Sequence, residues 1–167
     1  MADYSTVFGS LDNFRKGGVD IIDDDPKNYA FSNVFEVASR SRPYERVAVG
    51  KNFEYVIECA RADGTSPWYA AGHDEFAVCM DGEVEVHLVK LDHAASAVPV
   101  GRDGAHRLES LPAGRKMGRI RLGRGHMALL PAGAAYRFEA AAPCTLMIQS
   151  IHGPETIERW AEICQTK

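Results

Sequence analysis

The sequence predicts an all-β domain, a sandwich or barrel of short strands. Apolar and polar residues alternate with period two: Val84, Val86 and Leu88 oppose Glu83, Glu85 and His87, and Ile120 and Leu122 oppose Arg119 and Arg121. Short apolar runs without alternation, such as 76–80 and 127–130, have strand length and suit strands buried on both faces. Turn signals (Asp63-Gly64, Asp81-Gly82, Gly123-Arg124-Gly125, Pro131-Ala132-Gly133) punctuate these runs at short intervals over residues 44–151.

Composition sets the outer limits. At 167 residues, 46% hydrophobic and 25% charged, the chain is one domain with ample core material. The net charge of -4 argues against a nucleic-acid surface or an anionic membrane. No apolar run approaches the 18 or so residues of a membrane span, and Met1-Ala2-Asp3-Tyr4 lacks the basic then apolar pattern of a signal peptide. Cys59, Cys79, Cys144 and Cys164 show no paired-ligand spacing and read as reduced thiols, three of them in strand-like segments.

In chain order, residues 1–40 read as an N-terminal arm outside the β-domain. Residues 10–17 suggest a short helix capped by Ser10 and stopped by Gly17, with Val7, Phe8, Leu11 and Phe14 on one face. Residues 19–22 suggest a strand, followed by the acidic turn Asp23-Asp24-Asp25-Pro26. Phe31, Val34 and Phe35 are apolar in a stretch with no core of its own, so the arm packs either on its own domain or on a partner chain.

The domain proper spans 41–152. Residues 44–50 and 53–62 read as strands joined at Gly50-Lys51-Asn52. Asp81-Gly82 predicts a type I′ hairpin between the run at 76–80 and the alternating strand at 83–89, because that turn needs positive φ at both central residues. Residues 90–116, with Pro99, Gly101, Gly104, Pro112 and Gly114, read as a long surface loop carrying His93 and His106. Strands follow at 119–122, 127–130, 136–139 and 144–151. Pro154 opens a terminal helix over 153–167, with Ile157, Trp160, Ala161 and Cys164 on one face.

Two motifs give the fold a family. Glu75, six residues and Gly82 resemble the second half of the first cupin motif, and Gly125, Pro131 and Gly133 resemble the second motif in order and spacing. The resemblance covers about residues 44–151 and implies a double-stranded β-helix, or jelly roll. Cupins commonly hold a divalent metal with three histidines and a glutamate. In this sequence the histidine positions fall on Trp68 and Ala70, or Tyr69 and Ala71, and on Tyr136. An indole N–H only donates, alanine offers nothing, and a phenol must shed a proton whose pKa is about 10. Glu75 alone remains, which does not make a transition-metal site. The scaffold is therefore expected without its metal.

The candidate site is the set these motifs bring together: Trp68, Tyr69, His73, Glu75 and Tyr136. They form either a pocket wall for an aromatic molecule, with His73 or Glu75 handling protons, or a filled-in metal site. A carboxylate such as Glu75 inside a barrel needs an arginine or a water beside it. Trp68 follows Pro67 in a loop and is placed to project outward.

A closer resemblance rests on the run from Phe31-Ser32-Asn33-Val34-Phe35-Glu36 through Arg42-Pro43-Tyr44-Glu45-Arg46, then Ser66-Pro67-Trp68-Tyr69-Ala70 and His73-Asp74-Glu75-Phe76. These resemble the small subunit of two-component hydroquinone 1,2-dioxygenases. The resemblance implies a cytoplasmic α2β2 enzyme whose larger, cupin-like subunit binds Fe(II). It implies ring opening of hydroquinone with O2 to 4-hydroxymuconic semialdehyde, with this chain completing the substrate pocket through Trp68. Two alternatives stay open: a stand-alone cupin isomerase or epimerase using His73 or Glu75 as base, and a metal-free small-molecule-binding cupin.

Overall fold

A computed structural model describes residues 8–14, 23 and 33–163. Its elements are α1 (Val34–Arg40), β1 (Arg46–Asn52), β2 (Tyr55–Thr65), β3 (Tyr69–Ala71), β4 (Glu75–Cys79), β5 (Glu83–Leu91), α2 (Ala94–Ala97), β6 (Ala105–Arg107), β7 (Gly114–Gly123), β8 (Met127–Leu130), β9 (Ala134–Ile151), β10 (Thr156–Ile157) and α3 (Trp160–Ile163). The expected all-β cupin roll, with a short helix near the C-terminus, is what the chain forms.

The 18-residue strand β9 is the spine. Along one edge it pairs with β3 and then β2; along the other it pairs with β5 and then β4. The sheet extends outward through β7 beside β5, β8 beside β4, β6 beside β3, and β1 and β10 beyond β2. Its N-terminal half thus belongs to one curled layer and its C-terminal half to the other. Strand alternation sends Tyr136, Phe138, Leu146 and Ile148 of β9 between the layers, where they meet Val84, Val86, Leu122 and Leu130.

A second, smaller cluster lies outside the roll. Helix α1 starts at Asn33, whose Oδ1 accepts from Phe35 N at 3.0 Å and Glu36 N at 3.4 Å. It lays Val37 and Ala38 over Val47 and Cys59 on the outer side of β1 and β2, with Leu11, Val34, Val49 and Ile163 packed around them. At this point, residues of the N-terminal arm pack on their own domain.

Several sequence expectations are corrected. Asp81-Gly82 is a corner and not a hairpin. β4 and β5 do not pair with each other but lie end to end along β9, and of the two turn residues only Gly82 has positive φ, at 65°. The cause is the crossing between layers. The Asp81 carboxylate accepts from Thr145 N at 2.6 Å and Leu11 N at 2.5 Å, pinning the corner to β9. A Cβ on Gly82 would stand 2.8 Å from the Cβ of Cys144, so only glycine fits.

The β1–β2 turn is Phe53-Glu54, with Phe53 at φ 54°, and not Gly50-Lys51-Asn52. Residues 90–116 are not one loop: β5 runs on to Leu91, and α2, β6 and the start of β7 fill the stretch. The first half of β7 was not legible because its side chains are mostly exposed, while 119–122 is the part the alternation marks. Ser10 and Asn13 close a tight turn by reciprocal backbone bonds of 2.8 and 3.1 Å, so the described part of 10–17 is not helical. The strand expected at 19–22 lies outside the described residues. Pro154 does not open a helix; Thr156 and Ile157 pair in parallel with Arg46 and Val47 before α3.

Candidate functional site

At the interior position where the two motifs converge sits a cation. Arg46, on β1, is 97% shielded and spends its guanidinium on three partners. Nε donates to Glu58 Oε2 at 2.5 Å, Nη2 to Glu75 Oε1 at 2.7 Å, and Nη1 to the Tyr136 hydroxyl at 2.9 Å. The Tyr136 hydroxyl in turn donates to Glu75 Oε2 through a very short bond. Thr156 Oγ1 donates to the remaining Glu58 oxygen, Oε1, at 2.6 Å. The Tyr69 ring lies against this group, 5.8 Å from the Tyr136 ring and 5.9 Å from the guanidinium carbon.

Each member is placed by strand parity. Arg46, Glu58, Glu75 and Tyr136 all occupy inward positions on β1, β2, β4 and β9. Burial alone would raise the Glu75 carboxyl, but the Arg46 charge and hydrogen bonds from Tyr136, Ser150 and Arg46 outweigh it and hold it below the usual carboxylate range. Burial pushes the Tyr136 phenol well above its ordinary value, with the Glu75 charge adding to the effect. Tyr69 is pushed up to about 12, again chiefly by burial. Both phenols are therefore neutral at physiological pH.

The residues present do not fit an iron ion. Glu58 and Glu75 are both already bonded to the guanidinium, and a divalent cation there would meet a fixed positive charge. The phenols do not ionise. Among the described residues, no group of three or more His, Cys, Asp or Glu could hold a metal.

The five candidate residues fall in three places. Tyr69, Glu75 and Tyr136 come together in the Arg46 cluster, each 3% exposed or less. His73 lies at the roll's edge, where Nε2 accepts from Ile151 N at 3.2 Å and stands 3.3 Å from Ser150 Oγ. Trp68 is on the outer side of the β3–β9–β5 layer, half-buried, with Arg137 stacked 5.0 Å from its ring.

That outer face has an unusual polar inventory. Trp68 Nε1, Arg137 Nε, His87 Nε2 and His106 Nε2 are all shielded from solvent without a hydrogen-bond partner among the described residues. Arg137 pairs in register with His87, and His106 sits across from Ala70, two residues beyond Trp68. His87 Nε2 lies between two carboxylates, 3.3 Å from a Glu139 oxygen and 3.5 Å from a Glu85 oxygen, without hydrogen-bond geometry to either. Buried polar atoms left unpaired cost free energy, so a cluster of them on one face marks a surface suited to polar groups of another molecule.

Sequence reasoning missed Arg46 and Glu58. Parity held the signal: Val56, Glu58 and Ala60 share one side of β2, but the larger side chains of Phe53, Tyr55 and Ile57 on the other side look more like a core.

No protein-family model and no curated protein sequence matched. Among solved structures, a chain of hydroquinone 1,2-dioxygenase from Sphingomonas sp. TTNP3, with 4-hydroxybenzoate bound, is 63% identical, with 99% of each chain covered and a TM-score of 0.96. A chain of hydroquinone 1,2-dioxygenase PnpCD, in complex with Cd2+ and 4-hydroxybenzonitrile, is 54% identical, with 98% of each covered and a TM-score of 0.91. A different chain of PnpCD, in its complex with Fe3+, is 14% identical over 73% of this chain and 32% of that one, with a TM-score of 0.56. PnpCD thus contains two kinds of chain: one matching this protein end to end, and a larger one sharing its fold over about a third of its length.

Proposed function

We propose a function from this premise: the chain belongs to the hydroquinone 1,2-dioxygenase family, as the smaller of its two kinds of chain. It is a metal-free subunit that completes the substrate pocket of a larger, Fe(II)-bearing subunit in the cytoplasm. The assembled enzyme opens the ring of hydroquinone with O2, giving 4-hydroxymuconic semialdehyde, and the assembly is an α2β2 heterotetramer. The observation that carries this reading is the Arg46 cluster. It fills with a cation and its counter-ions the position where other cupins gather metal ligands.

Iron on the partner supplies the oxygen chemistry. This chain's residues bind, orient and exclude water. Trp68 offers a flat apolar face with one donor edge, which suits stacking on a phenolic ring while keeping water from the reaction. Arg137, stacked behind it, fixes the indole plane. Glu75 and Tyr136 act from beneath by holding β4 and β9 together, rather than by touching substrate. A proton-transfer enzyme built on His73 or Glu75 is not favoured by this arrangement: His73 Nε2 already accepts a backbone bond, and both Glu75 oxygens are occupied, by Arg46 and Tyr136, in a fully buried position.

Separate purification of the two chains tests the reading. Ring cleavage is expected only after mixing, rising with added small chain to a fixed ratio. Full-rate cleavage by the larger chain alone, or by this chain alone, would end it.

A further inference from the structure

The two outer faces of the roll differ sharply. Outside β5 and β7, Glu85 is bonded to Arg119 at 3.0 Å and to Arg121 at 3.2 Å, and Glu83 and Glu139 add further ion pairs, so that face is charged beside the Trp68 cluster. Outside β1, β2, β9, β4 and β8 the pattern inverts. The strand registers align Ile57, Gln149, Phe76 and Leu129 in one row and Met147, Val78 and Met127 in the next, with Tyr55 beside them. Tyr55 is 57% exposed, Ile57 41%, Met127 60% and Leu129 45%. Lys51 stands at the rim of these rows, paired with Glu158 at 2.7 Å.

This is the same outer face that α1, Leu11 and Ile163 cover over Val47 and Cys59. Cover stops there; among the described residues nothing lies over the remainder. Soluble monomers rarely leave a contiguous apolar patch beyond about 300–600 Å² open, and a sheet with two apolar faces needs a layer on each.

Resting on the proposed function, we infer that this face is where the larger subunit docks. The occupant follows from three observations. The family's enzyme holds a second, larger kind of chain. That chain carries a segment with this same fold, so it has a curved sheet able to stack on this one at the usual spacing of about 10 Å. The rows are methionine- and aromatic-rich and uncharged, the composition of permanent interfaces rather than transient ones. The face is also distinct from the one bearing Trp68, which lies outside the other layer. Some two-thirds of the larger chain lies beyond its matched segment, enough to engage both sides. One side then supplies affinity and the other the pocket.

The test is co-expression of the two chains with Ile57→Glu or Met127→Glu in this one, read by co-elution and by affinity in titration. A carboxylate forced into a dry interface is expected to weaken association about 100-fold or more. The melting temperature of the isolated chain should stay unchanged, since both positions are open in it. Trp68→Ala is expected to keep assembly intact. Wild-type co-elution of both glutamate variants overturns the assignment. So does a self-association of the isolated chain that Met127→Glu breaks while heteromeric assembly survives, since the occupant is then a second copy. A large loss of isolated-chain stability in Met127→Glu also overturns it, because the chain's own arm then covers the face. If the wild-type chain itself fails to bind the larger one, the proposed function falls first and this inference with it.

Discussion

Replacing Arg46 by methionine should be the most damaging single change in the interior. The side chain is 3% exposed and makes bonds of 2.5, 2.7 and 2.9 Å to Glu58, Glu75 and Tyr136. Methionine fills much of the volume but leaves Glu58 and Glu75, 1% and 0% exposed, without their counter-charge. Breaking a buried pair in this way costs about 3–5 kcal/mol, against a typical total of about 5–15 kcal/mol. For a chain of this size each kcal/mol is worth roughly 2–4 °C, so the melting temperature at pH 7 should fall by about 6–20 °C. The cost comes from stranded charge, not from lost packing. The triple variant Arg46→Met/Glu58→Gln/Glu75→Gln should therefore be more stable than the single one, because the stranded charges are gone. Thermal and urea melts of both variants decide the matter. A single variant within about 1 kcal/mol of wild type, or a triple variant less stable than the single, would refute the reasoning.

Three further outcomes follow from the same structure. Trp68→Ala should lower kcat/KM of the assembled enzyme by about five- to ten-fold, the worth of an aromatic contact of about 1 kcal/mol, with little change in melting temperature; unchanged kinetics would remove Trp68 from the pocket. Glu75 is held below its unfolded-state value, so the stability it contributes is full above the unfolded pKa of about 4.3 and drains away as pH falls through the lower folded value; melts from pH 7 to pH 2 should steepen below about pH 4, and much less so in Glu75→Gln. Gly82→Ala should cost about 1–3 kcal/mol, because alanine must adopt φ 65° and its Cβ would stand 2.8 Å from that of Cys144; a wild-type urea midpoint would contradict the corner geometry.

The strands were legible wherever one face is wet. β5 and β2 announce themselves through alternation, although in β2 the choice of inward face was easy to invert. Tyr55 and Ile57 are large and apolar yet point outward, because that face awaits cover from outside the roll. The inward pair Val56 and Glu58 reads as a wet side unless Arg46 is known to stand opposite. Pairing partners were less legible. Asp81-Gly82 has hairpin chemistry, but whether two strands pair or run end to end depends on β9, more than 50 residues away. That the motif positions of histidine hold other residue types was readable position by position. What surrounds them was not, since Arg46 and Glu58 lie outside both motifs. Likewise, the unpaired polar atoms of Trp68, His87, His106 and Arg137 come together only when β3, β5, β6 and β9 are laid side by side.

The central claim is that this chain lends a surface while another holds the iron. The two separated chains should be loaded anaerobically with Fe(II), desalted, and assayed for bound iron. Iron near one equivalent on the larger chain and none retained on this one is the result expected from an interior already occupied by Arg46. Stoichiometric iron held by this chain alone, lost on substitution of its own side chains, would contradict it.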